Sequence, residues 1–323
     1  MIKRFDLFQP SHFKAKALEV FRYQATENEV YKKFIDLLGV EPSRINDLEE
    51  IPFLPIEFFK THKVVSGIKP VEMTFLSSGT TGTVQSRHHV ADLDVYRQSF
   101  MTAFKQFYGD PEDWIILALL PNYLERTGSS LVYMAQELIA CSSYKESGFY
   151  LDELDNLTEK LTALDNEGRK ILLLGVSFAL LDLVEKTKFS LKNTVVMETG
   201  GMKGRRKEMV REELHTELCE GFGVNEIHSE YGMTELLSQA YSSGKGVFKT
   251  PPWMQVLIRD PEDPLRILPE NSGGGINIID LANVNSCSFI ATQDLGKKVS
   301  GDLFQVLGRF DNADIRGCNL LVV

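Results

Sequence analysis

The chain has 323 residues, of which 43% are hydrophobic and 25% charged, and a formal net charge of −10. That balance is the balance of a folded globular chain and excludes disordered, collagen-like and disulfide-scaffold classes. The acidic excess argues against a general nucleic-acid surface, which needs dense Lys and Arg against phosphate.

The length allows about two units of ~150 residues each, or one large layered enzyme domain. Met1 to Phe8 carries Lys3 and Arg4 but no apolar core of the signal-peptide kind. The longest apolar stretch, Trp114 to Pro121, is too short to cross a bilayer, so no membrane span and a cytoplasmic location are expected. Residues 1–70 read as a helical scaffold, with Thr26 and Glu29 spaced as a capping box and Gly39 as a stop. Residues 51–56, rich in proline, read as an extended connection.

Residues 71–245 read as an α/β core. Its first feature is the run Phe75-Leu-Ser-Ser-Gly-Thr-Thr-Gly-Thr83, in which Gly79 and Gly82 permit a close backbone approach while Ser77, Ser78, Thr80 and Thr81 offer hydroxyls. The run suits a phosphate-holding loop or an ordinary polar turn leading toward a helix, and Thr83-Val84-Gln85 after Gly82 rules out a Walker-type Gly-Lys-Ser/Thr. Asp92 is placed to cap a helix that Gly109 ends, and Ser129 or Ser130 to cap another. Buried strands are expected at Trp114–Leu120, Lys170–Val176 and Asn193–Glu198, with helices between them, a rhythm that implies a mainly parallel sheet covered by helices. Ligands in such sheets lie beyond the carboxyl ends of the strands. Short strands at 253–258, 275–280, 288–292 and 302–308 predict a smaller antiparallel β-subdomain over 246–310, followed by a stub and tail at 311–323.

Four cysteines, Cys141, Cys219, Cys287 and Cys318, lack any CxxC spacing and read as reduced thiols. His88-His89 and His228 lack metal-ligand spacing and read as structural. Taken singly, Tyr231 reads equally as a core aromatic, Glu235 as a helix-capping acid, Asp302 as a turn residue and Arg309 as a surface ion-pair donor.

Their order is more informative. The SSGTTG loop, Gly200-Gly201, Tyr231-Gly-Met-Thr-Glu235, Gly301-Asp302 and Gly308-Arg309-Phe-Asp resemble the motif series of the adenylate-forming acyl and aryl acid synthetases. Pro55 to Lys60, Pro121 to Arg126, Ser129 to Met134, Glu198 to Gly204 and Arg316-Gly-Cys318 resemble the acyl-protein synthetase (LuxE) family in particular, known from the fatty-acid reductase complex of luminous bacteria. The resemblance implies a large adenylate-forming N-terminal-type domain whose C-terminal domain is essentially absent, since only a short tail follows Arg309. It implies ATP and magnesium as cofactors. Ser77, Ser78, Gly79, Thr80, Thr81 and Gly82 would hold the β and γ phosphates, Thr234 the α-phosphate and Glu235 magnesium. Tyr231, Gly200 and Gly201 would flank adenine, Asp302 would accept from the ribose hydroxyls, and Arg309 would sit beside ribose or phosphate. The superfamily's usual Pro-Lys after the loop is Val84-Gln85 here.

The implied substrate is a carboxylic acid, fatty by family. The implied acceptor is Cys318 and then a partner protein such as a reductase component. A thiolate suits acyl transfer, and Arg316 beside it would lower its pKa, although an idle thiol on a tail is the plain alternative. Two other functions stay open: an acyl- or aryl-coenzyme A ligase similar to phenylacetate-coenzyme A ligase, and a non-catalytic nucleotide-binding assembly subunit.

Overall fold

The computed structural model describes residues 5–8, 11–78, 84–121, 128–151, 153–200 and 209–310. Two compact units divide the chain, the first from residues 1–67 and 252–323 and the second from residues 68–251. Among the described residues no helix is long and apolar enough to cross a membrane.

The first unit opens with α1 (Phe5–Phe8), α2 (Phe13–Glu27), α3 (Glu29–Leu37), β1 (Leu54–Pro55) and α4 (Phe58–Thr61). The break between α2 and α3 falls at Asn28, whose side chain accepts from Tyr31 N–H at 2.9 Å and donates to Ser286 O at 2.8 Å. Thr26, the expected cap, lies inside α2 and donates to Arg22 O at 3.2 Å. Asparagine wins because it caps at least as well as threonine and its amide also satisfies a buried carbonyl. Gly39 follows α3 with a positive φ, as a helix-ending glycine should.

The second unit begins with an antiparallel hairpin, β2 (Met73–Leu76) and β3 (Arg87–Val90), in register Phe75 to His88 and Leu76 to Arg87. Helix α5 (Leu93–Tyr108) follows, capped by Asp92, whose carboxylate accepts from Val95 N–H at 3.4 Å, and ended at Gly109. Then come β4 (Ile115–Leu119), α6 (Ser130–Cys141) capped by Ser129, β5 (Gly148–Tyr150), α7 (Leu154–Asn166), β6 (Ile171–Val176) and α8 (Ser177–Lys186). The unit closes with β7 (Thr194–Thr199), α9 (Arg211–Phe222), β8 (His228–Tyr231), β9 (Ala240–Ser242) and β10 (Val247–Lys249).

Strands β5, β4, β6, β7 and β8 lie side by side in that order, all parallel, with β9 antiparallel on β8 and β10 antiparallel on β9. Every residue of β4 and β6 is buried, which is why these strands appear in the sequence as continuous apolar runs without alternation. Asp165 at the end of α7 accepts from Lys192 N–H, Asn193 N–H and the Thr194 hydroxyl, and so fixes where β7 starts.

The first unit resumes with β11 (Met254–Arg259), β12 (Gly273–Asp280), β13 (Phe289–Ser300) and β14 (Leu303–Arg309), an antiparallel meander with β1 parallel on β13. Strand β13 runs well past the expected 288–292, because its second half is mostly half-buried residues that carry little apolar signal. Arg259 is buried here and donates to Ile276 O, Asn277 Oδ1 and Thr292 O at 2.8, 2.9 and 2.5 Å. Gly275 makes room for it, since a Cβ there would stand 2.5 Å from the guanidinium carbon. The α/β class with a mainly parallel, helix-flanked sheet and a smaller antiparallel part is the observed one.

Candidate active site

The hydroxyl run joins β2 to β3, so the loop read as leading toward a helix is the connection of a hairpin. Its base is closed three ways. Ser77 N–H donates to Ser86 O at 3.1 Å, Ser86 N–H to Ser77 Oγ at 2.9 Å, and the Gln85 amide to Ser77 O at 2.8 Å. Gln85, the residue where the wider superfamily usually has lysine, thus ties the base of the loop at Ser77. Ser78 is exposed, while Gly79, Thr80, Thr81 and Gly82 lie outside the described residues.

Hairpin and turn are tied by His88. Its ring is wholly buried and its Nδ1 stands 2.9 Å from Thr234 O. Burial, partly offset by that carbonyl, pushes the imidazole down to about 4, so it is neutral at pH 7. A carbonyl only accepts, which makes Nδ1–H the donor. The structural role expected of His88 is therefore a contact with the turn that carries Thr234 and Glu235. Glu235 is buried at 5% exposure, and Thr234 is half-buried.

At the carboxyl ends of β7 and β8, Thr199 pairs with Glu230, which sets Gly200 beside Tyr231. Gly200 has a positive φ, and its carbonyl accepts from Ser177 Oγ at 2.6 Å. Tyr231 is buried, its ring centroid 5.7 Å from that of Phe248. Gly201 lies outside the described residues.

Sequence reasoning did not single out the charges beneath these turns. Glu198 sits against Arg211 at 2.6 Å and His215 at 3.5 Å, and Arg211 also donates to Ser229 Oγ at 3.2 Å. Burial raises the Glu198 carboxyl, but His215, Arg211 and Ser229 together hold it below the usual carboxylate range. Glu230 has no cation against it among the described residues: burial pushes its carboxyl up to about 7, against a lowering hydrogen bond from Thr199, and Glu198 adds to the rise.

In the first unit, Asp302 is exposed in the turn before β14, and Arg309 is the last residue of that strand. Seven residues at ~3.3 Å each put them roughly 20 Å apart, so the structure does not bring this pair together. The carboxylate beside Arg309 is Asp294, across the β13–β14 ladder, with Oδ1 3.4 Å from Arg309 Nε. Asp294 falls in Thr292-Gln-Asp294, a signal legible in the sequence only once register is known. Phe310 N–H docks on Gln293 O at 2.9 Å, and Cys318 lies outside the described residues.

Among solved structures the chain is similar to 2-hydroxyisobutyryl-CoA ligase in complex with 2-HIB-AMP and CoA, with TM-score 0.69 and 15% identity, covering 92% of this chain and 67% of that one. It is also similar to ATP-bound MatB from Rhodopseudomonas palustris, with TM-score 0.54 and 18% identity, covering 75% of this chain and 49% of MatB. At these identities the likeness is one of fold. No curated protein sequence matches the chain. The family model "Acyl-protein synthetase, LuxE" matches residues 8–323, nearly the whole length, and the chain belongs to that family.

Proposed function

We propose that the protein activates a carboxylic acid with ATP and passes the acyl group to a cysteine as a thioester. A carboxylate oxygen of the acid attacks the α-phosphorus, the bond to pyrophosphate breaks, and an acyl-adenylate remains. The thiolate of Cys318 then attacks the acyl carbon and AMP leaves with the electron pair of the broken C–O bond. The observation that carries this reading is the His88 bond, which fastens the hairpin bearing the hydroxyl loop to the Thr234–Glu235 turn in one unit. Family membership over residues 8–323 supports it independently.

In this reading the loop from Ser77 to Gly82 holds the outer phosphates, Thr234 donates to the α-phosphate, and Tyr231 with Gly200 and Gly201 flanks adenine. Glu235 is a hard oxygen donor in a buried turn, which suits magnesium, an ion usually held by one or two carboxylates and the substrate's phosphates. The charge that the ion supplies offsets that of the phosphates. For the ribose we assign Arg309 with Asp294, because two groups that serve one sugar must lie within its reach, and Asp302 does not meet Arg309. The family favours a fatty acid, a cytoplasmic location and a partner protein, such as a reductase component, as final acceptor.

The complex of the similar ligase with CoA favours a second reading, transfer to coenzyme A. Acid-dependent ATP–pyrophosphate exchange across acids from acetate to palmitate tests both, with Cys318→Ser in parallel. Exchange retained and covalent acylation lost in the variant is the expected result. Unaltered thioester formation on free coenzyme A by Cys318→Ser supports the ligase instead. Nucleotide binding without exchange on any acid refutes both and leaves an assembly subunit.

A further inference from the structure

The acyl-transfer chemistry above leaves one buried carboxyl unused. Neighbours along a strand face opposite sides, so Tyr231 and Ser229 share one face of β8 while Glu230 and His228 share the other. The Ser229 face meets Arg211 and His215 of α9. The Glu230 face meets α5, whose Tyr108 hydroxyl lies 3.1 Å from His228 Nδ1.

Two contacts place the Glu230 carboxyl between the turns of the candidate site. Thr199 Oγ1 donates to Glu230 Oε2 at 2.5 Å, from the residue just before Gly200. The other oxygen lies under the backbone of the next turn, since a Cβ built on Gly232 would collide with Glu230 Oε1. A side chain at 232 would displace the carboxyl from this position. Glu230 is 9% exposed.

The groups that face Glu230 do not compensate a charge. Tyr96 and Tyr108 come from α5, Tyr241 from the paired position on β9 and His228 from its own strand, while Glu198 of β7 adds its charge from the other face. Burial and Glu230 together raise all three tyrosines, and burial lowers His228. Arg211 pairs with Glu198 on the opposite face, and among the described residues no cation pairs with Glu230. A buried carboxylate without a cation must either protonate or draw in water.

We propose that Glu230 is a positioning residue whose protonated carboxyl locks the Tyr231–Glu235 turn to the Thr199–Gly200 turn, and that its ionisation opens this lock. The lock is a property of the fold, and its consequence for catalysis rests on the adenylation reading. As pH rises toward 7 the carboxylate forms and draws in water: the hydrogen bond from Thr199 favours the charged form but does not offset its burial, and the packing under Gly232 is given up. Tyr231, flanking adenine, and Thr234, facing the α-phosphate, then lose their fixed relation to Gly200.

Hydrogen exchange tests the lock without reference to activity. Protection factors of the amides of residues 231–235, corrected for intrinsic exchange, are expected to fall by up to about tenfold per pH unit between pH 4.5 and 7 in the wild-type protein and to level off above pH 7. They should stay level in Glu230→Gln, which keeps size and hydrogen bonding without the titration. Thr199→Val should lower protection at all pH values, and Thr199→Ser should restore it. In the pyrophosphate-exchange assay, the wild type should show a rise in KM for ATP from pH 4.5 to 7, and Glu230→Gln should remove it. The proposal is overturned if wild type and Glu230→Gln have the same pH dependence of protection, or if Thr199→Val leaves protection unchanged. A protein that shows the protection change but no acid-dependent pyrophosphate exchange refutes adenylation alone.

Discussion

Replacing His88 by leucine removes the side-chain hydrogen bond between the hairpin and the Thr234 carbonyl. The ring is fully buried, so the carbonyl loses a donor on the side that the ring shields. Leaving a buried acceptor unsatisfied costs about 1–3 kcal/mol. If all of it falls on the transition state, the rate drops roughly 5- to 150-fold, at about 1.4 kcal/mol per factor of ten. His88→Asn restores an N–H donor of similar reach and should recover part of the loss. The assay is acid-dependent pyrophosphate exchange with ATP and magnesium varied separately, beside thermal unfolding of both variants. A structural histidine would lower the melting temperature and leave kcat and both KM values alone. That outcome for His88→Leu refutes the claim that His88 positions the turn.

Arg211→Met strips a cation from the buried Glu198. Breaking a buried pair costs about 3–5 kcal/mol, and because Arg211 is partly exposed the expected loss in urea unfolding is smaller, about 1–3 kcal/mol. Gly223→Ala forces a side chain on a residue with a left-handed backbone, where the added Cβ would meet Phe189 O at 2.6 Å. A loss of about 2–4 kcal/mol is expected in the same measurement. Cys287 is wholly buried with its thiol pushed up to about 12 by that burial, so it should resist a maleimide at pH 8 until the protein unfolds.

The alternation of strand and helix was legible because β4 and β6 are buried on both faces and leave unbroken apolar runs. Asp92, Ser129 and Gly109 were legible because caps and stops act over one turn of helix. The hairpin around the hydroxyl loop was not, since β3 carries Arg87, His88 and His89, a polar run with no strand signature. Nor was Asp294. In sequence Asp302 stands nearer to Arg309, and only the β13–β14 ladder shows that the nearer residue lies at the far end of the strand. Glu230 and His88 share this difficulty: each acts through a partner more than thirty residues away, at a place set by register rather than by spacing.

These two groups also give the protein a pH response that neither shows alone. His88 titrates near 6.5 when unfolded and about 4 when folded, so the unfolded chain takes up its proton first. Its contribution is complete above pH 6.5 and falls by about 3 kcal/mol as pH drops to 4. Glu230 runs the other way, from 4.5 unfolded to about 7 folded, so its contribution is complete below pH 4.5 and falls by about 3 kcal/mol as pH rises to 7. Between 4.5 and 6.5 the two slopes cancel, and their joint effect on stability is flat. Each single variant should therefore uncover the other group. In urea titrations stability should rise with pH across this window in Glu230→Gln and fall across it in His88→Asn, by about 1.4 kcal/mol per pH unit in each case. The double variant should be flat again, apart from coupling, because both groups contact the turn from Tyr231 to Glu235. Two single variants with the wild-type slope would show that neither group is held away from its ordinary pKa, and the buried neutral pair would have to be abandoned.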